Sequence, residues 1–212
     1  MTLSDAFDGY RYEDTDPRPI HRVVMPTILS VFKKLVAQNG GTPLSVFDIG
    51  CGNGYAANVL SNNGCVVSGV DLSAHGVAQA KAAFPHLDVR VGSAYDDLPV
   101  VFGTFDAVLS LEVVEHLYSP HKLANSAFGL LRPGGSVVVS TPYHGYWKNL
   151  AISLANKWDS HFDSLEEHQH IKFFSVATLT KLLIDAGFSN VVIRRVGRIP
   201  PLAESMIAVA TR

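Results

Sequence analysis

The chain has 212 residues, 47% of them hydrophobic and 17% charged, enough to bury one substantial core within a single domain spanning 1–212. Its formal net charge of -2 gives no general attraction toward nucleic acid or an anionic membrane, so no nucleic-acid partner is expected. Two cysteines, Cys51 and Cys65, exclude a disulfide framework. With no signal-peptide core and no run of the roughly 20 apolar residues that a membrane span needs, a cytoplasmic location is expected.

Residues 1–20 are polar and acidic but carry Phe7, Tyr10 and Tyr12, which reads as an arm able to close over a ligand. Over 21–37, Val24, Ile28, Val31 and Leu35 recur at three and four, the period of a helix packed by one face, and Asn39-Gly40-Gly41 ends it. Residues 45–50 then read as a strand covered on both faces that runs into Gly50-Cys51-Gly52-Asn53-Gly54. Glycines at alternate positions allow a sharp turn and close approach of the backbone to a ligand. A helix over 55–61 follows, then a strand over 65–70 ending at Asp71, a helix over 74–84 capped by Ser73, and a strand over 87–91. A fourth strand over 105–110, a helix over 120–131 and a fifth strand over 137–140 continue the alternation, and a helix capped by Ser175 leads to a closing pair of strands over 191–196 and 206–211. Strands alternating with helices predict an α/β fold with a mostly parallel sheet. The segment 141–174 is too long for an ordinary connection and rich in aromatics and histidines. It reads as a substrate cap on the carboxyl side of the sheet.

The glycine turn selects among cofactors. A dinucleotide fingerprint wants G-x-G-x-x-G, but Tyr55 stands where its third glycine would fall, which counts against NAD and FAD. Asp71, at the end of the second strand, can accept hydrogen bonds from both hydroxyls of a ribose. Together Asp48-x-Gly50-x-Gly52-x-Gly54, the Val70-Asp71-Leu72-Ser73 segment and Leu131-Arg132-Pro133-Gly134-Gly135 before the fifth strand resemble the class I S-adenosylmethionine-dependent methyltransferases. The resemblance implies a Rossmann-like seven-stranded sheet with helices on both faces and an antiparallel last strand. It also implies S-adenosyl-L-methionine as cofactor, lined by Asp48, Gly50, Gly52, Gly54, Asp71, Leu72, Ser93 and Leu111. Ser93 stands where many members have an acid for the adenine, and Tyr95 and Asp96 are further candidates there.

After the fourth strand, Leu111-Glu112-Val113-Val114-Glu115-His116 carries the full E-x-x-E-H, which resembles the ubiquinone-biosynthesis O-methyltransferases and is shared with small-RNA 3′-end methyltransferases. The arginine that the former group uses before the first strand has no counterpart near Pro26-Thr27-Ile28. The expected activity is O-methylation of a small phenolic or catechol-like acceptor. RNA 2′-O-methylation and cofactor binding without catalysis are the alternatives. Such a transfer needs a base, for which His116 and His144 are the candidates, or a divalent cation that lowers the acceptor's pKa. If the motif opens a helix, Glu112, Glu115 and His116 share one face and could hold magnesium, with a further ligand from His144, His168 or His170.

Overall fold

A computed structural model describes residues 10–162, 164–165 and 169–212. Helix α1 (Pro19–Gln38) precedes strand β1 (Leu44–Ile49). Then follow α2 (Tyr55–Ser61), β2 (Cys65–Asp71), α3 (Ala74–Ala83), β3 (Asp88–Val91), α4 (Leu98–Phe102) and β4 (Phe105–Leu111). The second half comprises α5 (Pro120–Leu130), β5 (Leu131–Pro142), α6 (Tyr146–Leu154), α7 (Val176–Asp185), β6 (Ser189–Val196) and β7 (Ser205–Thr211). The strands form one sheet in the order β3-β2-β1-β4-β5-β7-β6, parallel except for β7, which runs antiparallel to both β5 and β6. This is the expected Rossmann-like arrangement, and strand order reverses between β1 and β4, where ligands of open α/β sheets lie.

Successive side chains of β1 serve opposite faces. Leu44 and Val46 join α1, α2 and α3 in one apolar layer, whereas Phe47 and Ile49 join α4, α5 and α7 in the other. A strand buried on both sides reads as a continuous apolar run. Among the described residues, no helix is long and apolar enough to cross a membrane. Cys51 and Cys65 are buried free thiols.

Three features differ from the sequence reading. Helix α4 was not expected: at five residues, opened by Pro99 and stopped by Gly103 at φ 77°, it is too short to show a period. Helix α6 lies inside the segment read as a substrate cap; Tyr146, Leu150 and Leu154 recur at helical spacing, but only Ile152 of it is buried and Tyr146, Trp147 and Leu154 are exposed. Strand β5 begins at Leu131 rather than 137, with a register shift against β4 that absorbs the proline and glycines.

Candidate functional site

The turn after β1 is built from left-handed backbone. Gly50 and Gly52 have φ of 86° and 52°, and the Gly50 and Cys51 amides both donate to Val70 O, at 2.8 and 3.0 Å. A Cβ on Gly50 would strike the Val113 side chain that follows β4, so this glycine also lets the two strand ends approach. Asp71 closes the turn from β2: one carboxylate oxygen accepts from Gly52 N–H at 2.8 Å and the other from Ser73 N–H at 2.7 Å. Burial raises its pKa, and these two bonds oppose the rise.

Asp48, 1% exposed, is different. Neither of its carboxylate oxygens has a hydrogen-bond partner, and burial, then the charge of Asp71, push its pKa up to about 7. A buried, unpartnered carboxylate suits a cationic group of a ligand.

Tyr12, from the arm expected to close over a ligand, and Arg18, which the sequence reading did not single out, complete this side. The ring of Tyr12 lies against Gly52 and Gly76, and the Arg18 guanidinium sits 5.5 and 5.7 Å from the ring centres of Tyr10 and Tyr12. Nε and Nη2 of Arg18 are buried without partners, so a cation suited to an anionic ligand group stands next to the turn. Its signal in the sequence is Arg18-Pro19 at the helix start, eight positions before Pro26. Beyond Asp71, Leu72 is 50% exposed, and after β3 the Ser93 amide donates to Asp96 Oδ2 at 2.7 Å while Ser93 Oγ accepts from Tyr95 N–H at 3.1 Å. Leu111 is buried at the end of β4.

The E-x-x-E-H motif does not open an α-helix. Glu112 takes a left-handed φ of 53°, and Val114–His116 forms a single 3-10 turn, so its three polar side chains do not share a helical face. Glu112 Oε1 instead accepts from Ser140 Oγ at 2.7 Å and Ser205 Oγ at 2.9 Å, tying the motif to β5 and β7. Glu115 is fully buried with no hydrogen-bond partner for either carboxylate oxygen. Burial, then the nearby charge of Glu112, raises its pKa well above the ordinary range.

The main chain of Glu115 brings in the remote partner. Its carbonyl accepts from the amides of Ile171 and Lys172, at 2.9 and 3.0 Å, which holds His170 with Nε2 4.0 Å from Glu115 Oε1 and its ring edge-on to His116 at 4.8 Å. Ligand atoms of Glu115, His116 and His170 all lie within 4.8 Å of one another, a spacing that small adjustments would close around one cation. Burial, then His116, lowers the His170 pKa to about 4, so the imidazole is neutral, as a metal ligand must be. His144 stands apart from the trio, its Nδ1 3.2 Å from Asn149 Oδ1 and its ring tilted on Phe173 at 4.5 Å. His168 lies outside the described residues.

A sheet of this order with a glycine turn after β1 and an acid ending β2 defines the class, the S-adenosylmethionine-dependent methyltransferases. Residues 22–193 match the family described as methyltransferase domain, and the chain belongs to that family. Among its relatives, the ubiquinone biosynthesis O-methyltransferase of Psychrobacter arcticus is 29% identical over 160 residues, covering 73% of this chain and 62% of the relative. The enzyme of the same name from a Bradyrhizobium species is 32% identical over 145 residues, covering 67% and 57%. The chain thus spans less than two thirds of the length of either. Magnesium protoporphyrin IX methyltransferase of Synechocystis, solved with bound S-adenosylhomocysteine, shares the fold at a TM-score of 0.67 and 20% identity, covering 88% of this chain and 82% of that one.

Proposed function

We propose that this chain transfers the methyl group of S-adenosylmethionine to an oxygen of a small phenolic or catechol-like acceptor, with a divalent cation at Glu115, His116 and His170. The observation that carries the metal reading is the unpartnered, buried carboxylate of Glu115 converging with two imidazoles. The names of the relatives support O-methylation.

The residues fit the cofactor. The glycine turn admits a ligand close to its backbone, Asp71 faces the ribose hydroxyls, Leu72 and Ser93 border the adenine, and Leu111 lines the reacting end. Arg18 and Asp48 supply the cation and the anion that an amino-acid moiety requires. When bound, S-adenosylmethionine provides an already activated methyl group, so the protein has to align the acceptor and take up its proton. A divalent cation, when bound, lowers the pKa of a coordinated hydroxyl. His144, lowered in pKa by burial, is neutral at physiological pH and can accept a proton. His116 is the second candidate base. Glu112, fixed by Ser140 and Ser205, positions the turn that carries Glu115 and His116. The segment 141–174 caps the acceptor, with Phe173 gathering His144, Trp158 and Phe162 into an aromatic cluster.

The test is transfer from radiolabelled S-adenosylmethionine to a panel of catechols, phenols, sugars and RNA, before and after chelation. Label should enter the catechols, fall on chelation and return with a divalent ion. Label in RNA alone, or transfer indifferent to exhaustive chelation, would overturn the acceptor or the metal respectively.

A further inference from the structure

Residues 10–16 contain no helix or strand, yet three of their carbonyls are tied down by side chains around the cofactor turn. Tyr10 O accepts from Ser73 Oγ at 2.6 Å, Tyr12 O from Gln79 Nε2 at 3.0 Å and Asp14 O from Asn53 Nδ2 at 2.7 Å. Alternate residues are held, as in an extended strap secured along one edge. Its inner surface is Tyr12: a Cβ on Gly76 would come within 2.8 Å of the ring, and one on Gly52 would strike the hydroxyl. Arg18 stacks on both tyrosines where the strap joins α1.

This closed position leaves Arg18 Nε and Nη2 and both oxygens of Asp48 buried without partners. A segment that merely filled an empty cleft would leave such groups to water, because buried unpaired charge is costly. A strap closed over a zwitterionic ligand would give an anion to Arg18 and a cation to Asp48. We infer that residues 10–18 are the lid of the cofactor site, with Tyr12 as its inner face and Gln79 as its latch, so that opening of this strap sets the rate at which the spent cofactor leaves. This rests on the S-adenosylmethionine reading above.

The experiment measures binding and stopped-flow dissociation of S-adenosylhomocysteine from the wild type, Tyr12→Ala, Tyr12→Phe and Gln79→Leu, together with tryptic cleavage after the exposed Arg11. Gln79→Leu removes one neutral hydrogen bond to the strap and should speed dissociation about 2- to 10-fold. Tyr12→Ala should do so by more, Tyr12→Phe should stay near the wild type, and ligand should slow cleavage at Arg11. Wild type that binds the ligand but dissociates no more slowly than either Gln79→Leu or Tyr12→Ala overturns the lid alone. Tighter binding by Tyr12→Ala, with ligand speeding cleavage at Arg11, would make the strap a plug and also overturn it. Wild type that does not bind S-adenosylhomocysteine overturns the cofactor reading and the lid with it.

Discussion

Replacing Glu115 by glutamine should stabilise the metal-free protein while removing its function. The carboxylate is fully buried, neither oxygen has a hydrogen-bond partner, and the charge of Glu112 lies close by. Ionising this buried carboxylate without a partner costs about 1–3 kcal/mol at neutral to alkaline pH, a cost that glutamine, of the same shape but uncharged, does not carry. For a chain of this size that gain corresponds to a rise in Tm of about 2–12 °C. The pH dependence follows from the raised pKa. The native state keeps a proton that the unfolded chain releases above its ordinary value of 4.5, so wild-type stability is highest below that pH and falls as pH rises toward the elevated native pKa. Glutamine does not titrate, so its advantage should be small at pH 4 and grow toward pH 8. Urea melts in chelator at several pH values measure this. Adding magnesium or manganese should then stabilise the wild type, by about 2.7 kcal/mol at a hundred times its dissociation constant, and leave the variant unchanged. A Glu115→Gln protein that is less stable than wild type in chelator at pH 8, and that still transfers methyl groups at the wild-type rate, would refute both the charge assignment and the metal.

Asp48→Asn should behave similarly on the other side of the site. With the native pKa raised from 3.8 to about 7, stability is lost as pH rises through that interval, so the variant should gain at pH 8 by at most about 4 kcal/mol and little at pH 4, measured by denaturant melts. It should also bind S-adenosylhomocysteine more weakly by calorimetry, having lost the anion offered to the amino group. Gly50→Ala should cost about 1–2 kcal/mol for its left-handed backbone and more for the collision with Val113. Adding Val113→Ala should recover only the collision part, and equal stabilities of single and double variants would show that the contact does not matter.

The order of helices and strands was legible because it is set locally. Strands rich in apolar residues on both faces, such as the one carrying Val46, Phe47 and Ile49, stand out as buried, and a three-and-four period marks α1. Gly50, Gly52 and Asp71 were legible for the same reason: a left-handed turn leaves few choices but glycine, and the acid follows within one strand-turn-helix-strand unit. Helices α4 and α6 escaped, the first for want of length and the second because its short apolar stripe falls inside a segment read whole as a cap. The composition of the polar site was decided only in three dimensions. Glu112, Glu115 and His116 are neighbours in sequence, but a left-handed residue and a 3-10 turn send Glu112 to the hydroxyls of Ser140 and Ser205. Glu112 stays close to Glu115, but it is His170, brought there by the amides of Ile171 and Lys172 on the Glu115 carbonyl, that completes the set of ligand atoms with Glu115 and His116. Arg18 likewise gains meaning only when the strap crosses the turn, because guanidinium nitrogens buried without hydrogen-bond partners are a property of their surroundings and not of position in the chain.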